Sequence, residues 1–416
     1  MARIEITITA KSPLSLGTIK AYGGTLIETG LHVAGGQLRG ALGALKSFAS
    51  QAEQSELDQL LGVPGQPGIK FPNCYLTNEK PSFPLPMTAQ TCKLEGGFRE
   101  DKKHGVADTL LMQLAYDQVA RDGERWCIPL PFQYKCQYKS PKGDCRSRTE
   151  EFNRIVEYRD NGKYAASNPS LHRQTRVAVN RARLTAEDGQ LYSVQAIDEG
   201  SQFVGVIEVD GERAELASTW LEKITRIGGR TSRGFGAVTV SAKDSPAYDD
   251  LRDRVEAFNK KYREFEADLR AIADNPKPAD TRTLFTVNLR SDAVLREALG
   301  LPTLQLNLRD ALDELATGEE RQVLDAIEPK PFAHFVQPQS VSGWQTAWQL
   351  PKEVLLSARM GGLYIFAADI GEDEGKRQAL CTLLEKLQVA GIGEMRQDGY
   401  GQIIICDPFH LEVEPV

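Results

Sequence analysis

Two stretches of this chain place glycine and arginine where a polyanion could be held. The first, residues 228–236, reads Gly-Gly-Arg-Thr-Ser-Arg-Gly-Phe-Gly. Gly229, Gly234 and Gly236 let backbone N–H groups approach an extended anion with no Cβ in the way, and Arg230, Ser232 and Arg233 supply charge and a hydroxyl donor. The second, residues 391–401, carries Gly391, Gly393, Arg396, Gly399, Tyr400 and Gly401. Both end Gly-aromatic-Gly, with Phe235 and Tyr400 in the middle, and both have an arginine upstream. Each follows a helical pattern (apolar residues at 216, 220, 224 and 227; at 380, 383, 384 and 387) and precedes a short apolar run. The order helix, loop, strand is the reverse of nucleotide-binding phosphate loops, which feed a helix N-terminus. Two such loops in one context indicate a duplicated domain.

Other residues could do chemistry. Arg39, at the start of a small-residue helix, reads equally as a phosphate contact or as a surface arginine. His172, Arg173, Arg176, Arg181 and Arg183 read as a basic projecting strand or as a solvated loop. Cys92, His104, Cys127, Cys136 and Cys145 offer the thiolate and imidazole ligands that suit tetrahedral zinc, but they form no Cys-x-x-Cys pair, and the x8 spacings between the last three depart from a knuckle. His32, His104 and Asp108 are the candidates for acid–base work. No histidine has a partner at a catalytic spacing, and Asp108 equally reads as a cap for the helix that follows it. A serine elbow, a Walker motif and a metal–carboxylate cluster are absent from the sequence.

The elements that must position these residues are legible in part. Residues 3–10 alternate apolar and polar as a half-buried strand, and 34–45 read as a helix. From 50 to 170 the periodicity weakens among many prolines and five of the seven cysteines, which predicts an irregular insertion containing one helix near 108–119. Residues 190–197 and 202–209 predict a hairpin. With the insertion removed, the first unit is β-α-β-β-α-β, and the fold class is α+β with two ferredoxin-like (RRM-like) domains. The expected boundaries are 1–245, a linker helix within 246–280, and 281–416. That helix shows a heptad seam at 251, 255, 258, 262, 265, 269 and 272, expected to pack across the two domains.

A net charge of -7 argues against a freestanding, non-specific nucleic-acid binder, although basic residues outnumber acids between 127 and 183. Seven cysteines in a chain that opens with no basic and apolar leader predict a cytoplasmic protein without a disulfide framework. No apolar run reaches the length of a membrane span.

The two glycine loops resemble those of the RAMP superfamily of CRISPR-associated RNA-binding proteins. More narrowly, GGQLRGAL, TCKLEGGF, HGVADTL, GQLYSVQAIDEGSQFVG, SGWQTAWQLPK and GIGEMRQDGYGQIIICDPFH, spread across nearly the whole chain, resemble the double-RAMP subunit of type III-D effectors, the Csx-ten family. The resemblance implies a Cas-five-like role. The chain would cap the 5′ repeat-derived tag of the crRNA, beside the large multidomain subunit and neighbouring RAMP backbone subunits, with target RNA within reach. It also implies a zinc site in the cysteine-rich region. On this reading Arg230, Ser232 and Arg233 contact phosphates, while Phe235 and Tyr400 either stack on a base or fill the core, the core being favoured. Glu394 and Asp398 suit the second loop to packing or protein contact. The alternatives are a RAMP ribonuclease using His32 or Asp108, and an assembly subunit that does not touch RNA.

Overall fold

The computed structural model describes residues 2–17, 25–77, 80–122, 135–140, 143–159, 163–180, 182–246, 250–273, 277–345, 350–371 and 373–413. Two antiparallel four-stranded sheets organise it. In the first, the strands lie in the order Val238–Asp244, Ala2–Ala10, Gln202–Val209, Tyr75–Thr77. In the second, Ile403–Ile405, Thr283–Leu289, Leu363–Ala368 and Lys330–Phe335 follow one another. Numbered along the chain, both sheets read fourth, first, third, second. Helices fill the same gaps in each: Gly35–Leu45 and Gln51–Leu61, then Gly211–Glu222, in the first unit; Leu308–Asp313 and Gly318–Ile327, then Glu374–Ala390, in the second.

The hairpin expected between 190–197 and 202–209 does not form. Thr185–Ile197 pairs instead with Leu171–Asn180, from Leu171 opposite Ile197 to Asn180 opposite Thr185. The short connection at 198–201 is pulled onto the first strand, where the Ala10 N–H donates to the Ser201 carbonyl at 2.9 Å and the Gly200 N–H donates to the Ala10 carbonyl at 2.9 Å. The two runs therefore enter different sheets. The free edge of Gln202–Val209 takes Tyr75–Thr77, which lies inside the span expected to be irregular. Gly205 marks the approach: a Cβ there would sit 2.7 Å from Cys74 Sγ and 3.0 Å from the Asn73 carbonyl oxygen.

The rest of that span is also built. Ala89–Cys92 pairs with Thr149–Glu151 and with Val106–Asp108, and Ile155–Arg159 pairs with Lys163–Ala166 and Ser82–Pro84. Its helix, Leu110–Asp122, buries Leu110, Leu111, Leu114 and Val119 in one core with the long helix Leu251–Ile272 and the second sheet. The heptad seam of the long helix thus buries Leu251, Val255, Phe258, Tyr262 and Leu269 between a helix from the first half of the chain and the second sheet. Asn259 fixes its register by exchanging two bonds with the backbone of Leu284, both at 2.8 Å. The helices of the first unit pack a separate core with Ile4, Ile6, Ile8, Phe203 and Trp220.

The two units meet where the helix Gly35–Leu45 begins. A Cβ on Gly35 would lie 2.1 Å from the Phe71 carbonyl oxygen and 2.8 Å from Gly399 Cα, so only glycine fits. Gly35→Ala is expected to cost about 3 kcal/mol or more by overpacking. Gly40→Ala in the same helix, with open space around its Cβ, should instead stabilise by up to about 1 kcal/mol through helix propensity. Thermal melts of the two variants check the contrast.

Candidate nucleic-acid interface

The two glycine loops share one backbone trace. Gly228, Arg230, Gly234 and Gly236 take φ of 88, 61, 88 and 82°, and Gly393, Met395, Gly399 and Gly401 take 71, 56, 90 and 68°. A single 3-10 turn sits in each, Thr231–Arg233 and Arg396–Asp398. The tethers correspond as well. The Gly229 N–H donates to the Ser15 carbonyl at 2.8 Å as Glu394 does to Val294 at 2.9 Å, and the Gly236 N–H donates to Pro13 at 2.9 Å as Gly401 does to Asp292 at 2.8 Å. This register aligns Arg230 with Met395 and Arg233 with Asp398, so Arg396 falls opposite Thr231. Aligning the loops by their arginines in the sequence hides this inversion of charge.

Their surroundings differ in the same sense. Gly234 faces open space, and Ser232 and Arg233 are exposed. The equivalent Gly399 is buried: a Cβ there would meet Asn73 Oδ1 at 2.8 Å, Phe71 O at 2.9 Å and Gly35 Cα at 3.0 Å. Asp398 accepts from Arg39 Nη1 at 2.8 Å and from Lys352 Nζ at 3.2 Å, and Arg39 Nη2 donates to the Leu61 carbonyl at 2.9 Å. Arg39, a candidate phosphate contact in the sequence, is therefore spent on the seam between the units. Tyr400 is half-buried there, and burial pushes its hydroxyl up to about 12.

The hairpin Leu171–Asn180/Thr185–Ile197 stands beside the open loop and adds to it. Side chains alternate between its faces, and His172, Gln174, Arg176 and Tyr192 share the face toward the loop. The Arg176 guanidinium lies 5.0 Å from the ring centroid of Phe235, and that of Arg230 lies 5.6 Å from the ring of Tyr192. Arg233 Nη1 donates to the Tyr192 hydroxyl at 3.1 Å. Arg176 is oriented by a relay: its Nη2 donates to Gln174 Oε1 at 3.0 Å, Gln174 Nε2 contacts His172 Nε2 at 3.0 Å, and His172 Nδ1 pairs with Asp198. Three guanidinium groups thus gather around two rings, and none forms an ion pair with a carboxylate of the described residues. Their convergence makes the local potential at this partly exposed site positive.

Two further sequence candidates do not join this group. Arg173 belongs to the opposite face of the hairpin, in the row of Thr175 and Val177. Phe235 is 1% exposed, packed with Val194 and Ala196 beneath Arg176, so it is a platform for the arginine and offers no face to a base. Arg181 lies outside the described residues. Sequence reading missed Tyr192 and Gln174; their signal was the alternation of the hairpin, legible once its true register is known.

A second cluster forms where four of the five metal candidates meet. The ligand atoms of Cys92, His104, Cys136 and Cys145 all lie within 4.8 Å of one another. His104 Nδ1 is 3.3 Å from Cys92 Sγ and 3.3 Å from Cys136 Sγ, and Cys92 Sγ is 3.9 Å from Cys145 Sγ. Around a tetrahedral zinc, bond lengths of about 2.3 Å to sulfur and about 2.0 Å to nitrogen put neighbouring ligand atoms about 3.5–3.8 Å apart, so these four residues fit such an ion. Burial alone would raise the Cys92 thiol, but the backbone N–H groups of Glu95 and Leu94, with His104, outweigh it and hold the group down at about 7. Burial pushes Cys136 up to about 12. The His104 ring stacks on Tyr138 at 4.2 Å. Cys127 lies outside the described residues.

The acid–base candidates are placed elsewhere. The Asp108 side chain is fully buried. One oxygen caps the following helix through the Leu110 N–H at 2.8 Å, and the other accepts from His410 Nδ1. His410 Nε2 accepts from Asn288 Nδ2 at 2.8 Å, and Asn288 Oδ1 accepts from Thr286. Asp108 is a structural tie between the built insertion and the second sheet. His32 packs on Tyr75 with ring centroids 5.2 Å apart, and burial lowers its pKa to about 4, so it is uncharged at neutral pH.

Comparison with known proteins bears on the same stretch. Residues 82–239 match the RAMP superfamily. The RAMP match holds the metal cluster, the basic hairpin and the open glycine loop. A comparison with curated proteins finds no match. Among solved structures, the chain is similar to one in a type III-B Cmr-beta complex bound to cognate target RNA and AMPPnP, at 13% identity over 87% of this chain and 86% of that chain, with a TM-score of 0.38. It is similar to a chain of a Cas6 product complex at 12% identity over 59% and 84%, TM-score 0.31, and to oligomeric Cmr4 from Pyrococcus furiosus at 12% identity over 59% and 100%, TM-score 0.25. Among the described residues, no helix is long and apolar enough to cross a membrane.

Proposed function

We propose that this chain is an RNA-binding subunit of a type III CRISPR effector complex, built from two ferredoxin-like units, that caps the 5′ repeat-derived tag of the crRNA. The observation that carries this reading is the divergence of two loops with one backbone: the copy at 228–236 is open and ringed by Arg176, Arg230 and Arg233, and the copy at 391–401 is closed and carries Met395 and Asp398 in the arginine positions. The open copy takes the phosphates and the closed copy joins the two halves. Tyr192, flanked by Arg230 and Arg233, is the aromatic group at this site. The large multidomain subunit and neighbouring RAMP backbone subunits are the protein partners, with target RNA within reach.

We assign no catalytic residue. Asp108 is buried with both oxygens engaged, and His32 is an uncharged ring against Tyr75. Cys92, His104, Cys136 and Cys145 hold a structural zinc, which when bound crosslinks the strands around it. The test of the RNA reading is the affinity of purified protein for tagged guide RNA when Arg230 and Arg233 are replaced together by alanine.

A further inference from the structure

The strands that carry the metal ligands also carry cations that the glycine loop does not use. Thr149 pairs with Cys92 across the ladder, and one step along it the Lys93 N–H donates to the Arg148 carbonyl at 3.0 Å. On the far side of Arg148, Lys135 forms a β-bridge with that same residue. Lys93, Arg148 and Lys135 therefore stand directly opposite one another on three adjacent segments, and all three are exposed. Residues opposite one another in antiparallel strands project to the same face, and adjacent strands lie about 4.8 Å apart, so the row runs about 10 Å. Like charges directly opposite one another destabilise a sheet, yet none of the three forms an ion pair with a carboxylate of the described residues. The neighbouring acid Glu95 is taken by Lys103 at 2.6 Å.

The row is tied to the metal cluster by alternation along the strands. Cys92 precedes Lys93 and Cys136 follows Lys135, so the thiols and the cations belong to opposite faces of the same segments. The Cys136 N–H donates to the Ser147 carbonyl at 2.8 Å, which keeps the Lys135 segment in register beside Arg148. The Cys/His cluster thus lies on the opposite face of the same segments from a line of three cations that are without an ion pair among the described residues.

We propose that Lys93, Lys135 and Arg148 form a second contact for the phosphodiester backbone of single-stranded RNA, separate from the glycine loop. This rests on the reading of the chain as an RNA-binding subunit and adds a surface to it. Cationic side chains on a strand row neutralise phosphates without reading bases, so the contact is sequence-independent and strongly salt-dependent.

The test is a charge reversal, Lys93→Glu with Lys135→Glu and Arg148→Glu, in the full chain, measured by fluorescence anisotropy on guide RNA at several salt concentrations beside the Arg230→Ala, Arg233→Ala variant. A charge-keeping control, Lys93→Arg with Lys135→Arg and Arg148→Lys, separates charge from folding, and circular dichroism with metal analysis checks each protein. The reversal is expected to lower affinity at least tenfold near 0.1 M salt and to reduce the slope of log affinity against log salt by about two to three, with the control at wild-type affinity. If loop mutation weakens binding and the reversal leaves affinity and slope unchanged, the row is not an RNA contact and the loop reading stands. If the reversal weakens binding and loop mutation does not, the row stands and the loop reading falls. An unchanged RNA affinity with lost binding of an acidic partner subunit overturns the proposal in favour of a protein contact.

Discussion

Alanine at both Arg230 and Arg233 is expected to weaken binding of tagged guide RNA about 100-fold near 0.1 M salt. Each guanidinium is placed to donate charge-assisted hydrogen bonds to a phosphate, and such bonds contribute about 1.5–3 kcal/mol. Exposure of Arg233 puts the effect at the lower end, about tenfold per arginine. The slope of log affinity against log salt should fall by about two, because each lost contact releases about one counterion fewer. The fold should survive. Arg230 has φ of 61°, a left-handed conformation that costs a side chain about 1–2 kcal/mol, and alanine there pays the same cost. Neither side chain fills a core. Titrations across salt, with thermal melts alongside, check both parts.

Removal of metal is expected to have the largest effect on structure. The strands 89–92 and 149–151 and the segment from 135 meet around Cys92, His104, Cys136 and Cys145, and among the described residues the apolar cluster beside them holds only Cys92, Ala107 and Cys136, with Tyr138 and Cys145 partly buried. Such a core cannot carry its own ordering entropy, and zinc in comparable small modules contributes on the order of 10 kcal/mol of binding that is also folding free energy. A strong chelator, or Cys136→Ser, should therefore raise hydrogen exchange across 89–108 and 135–151 while leaving the first sheet protected. Purified protein should carry one zinc per chain. Absence of zinc with unchanged exchange would remove the metal from the account.

Sequence reading succeeded where one local pattern dominates. The alternation of Ile4, Ile6 and Ile8, the seam of the long helix from Leu251 to Leu269 and the helix before each glycine loop are all read from side chains that face a core, whereas Ile272, the last expected seam position, is exposed. It failed where partners are distant. Tyr75–Thr77 is three residues long, too short for any periodicity, and is held by the edge of a strand more than a hundred residues away. The apolar runs at 190–197 and 202–209 satisfy the same alternation in either pairing, and distant partners decide between them: the ladder of the first run with 171–177, the ladder of the second with the first strand, and the tie of Ser201 and Gly200 to Ala10. Gly205 within a strand was a usable warning that another backbone comes close.

The site was legible in composition more than in geometry. Gly228 to Gly236 announces its own backbone, and the basic residues from 127 to 183 announce a charged face. Which of them converge depends on strand parity, which sends Arg176 toward the loop and Arg173 away from it. Arg39 and Asp398 lie far apart in sequence, and only the docking of Gly35 against Gly399 brings them to a hydrogen bond at 2.8 Å. The cap reading of Asp108 is met by its bond from the Leu110 N–H, and its second partner, His410, was illegible because it sits at the opposite end of the chain.

The most direct measurement is ultraviolet crosslinking of the assembled complex, with photoreactive nucleotides placed in the 5′ tag of the crRNA and the attached peptides identified by mass spectrometry. Crosslinks on the open loop at 228–236 and on the hairpin face carrying Arg176 and Tyr192 are the predicted result. Tag crosslinks confined to 391–401, or to other subunits with none on this chain, would contradict the account.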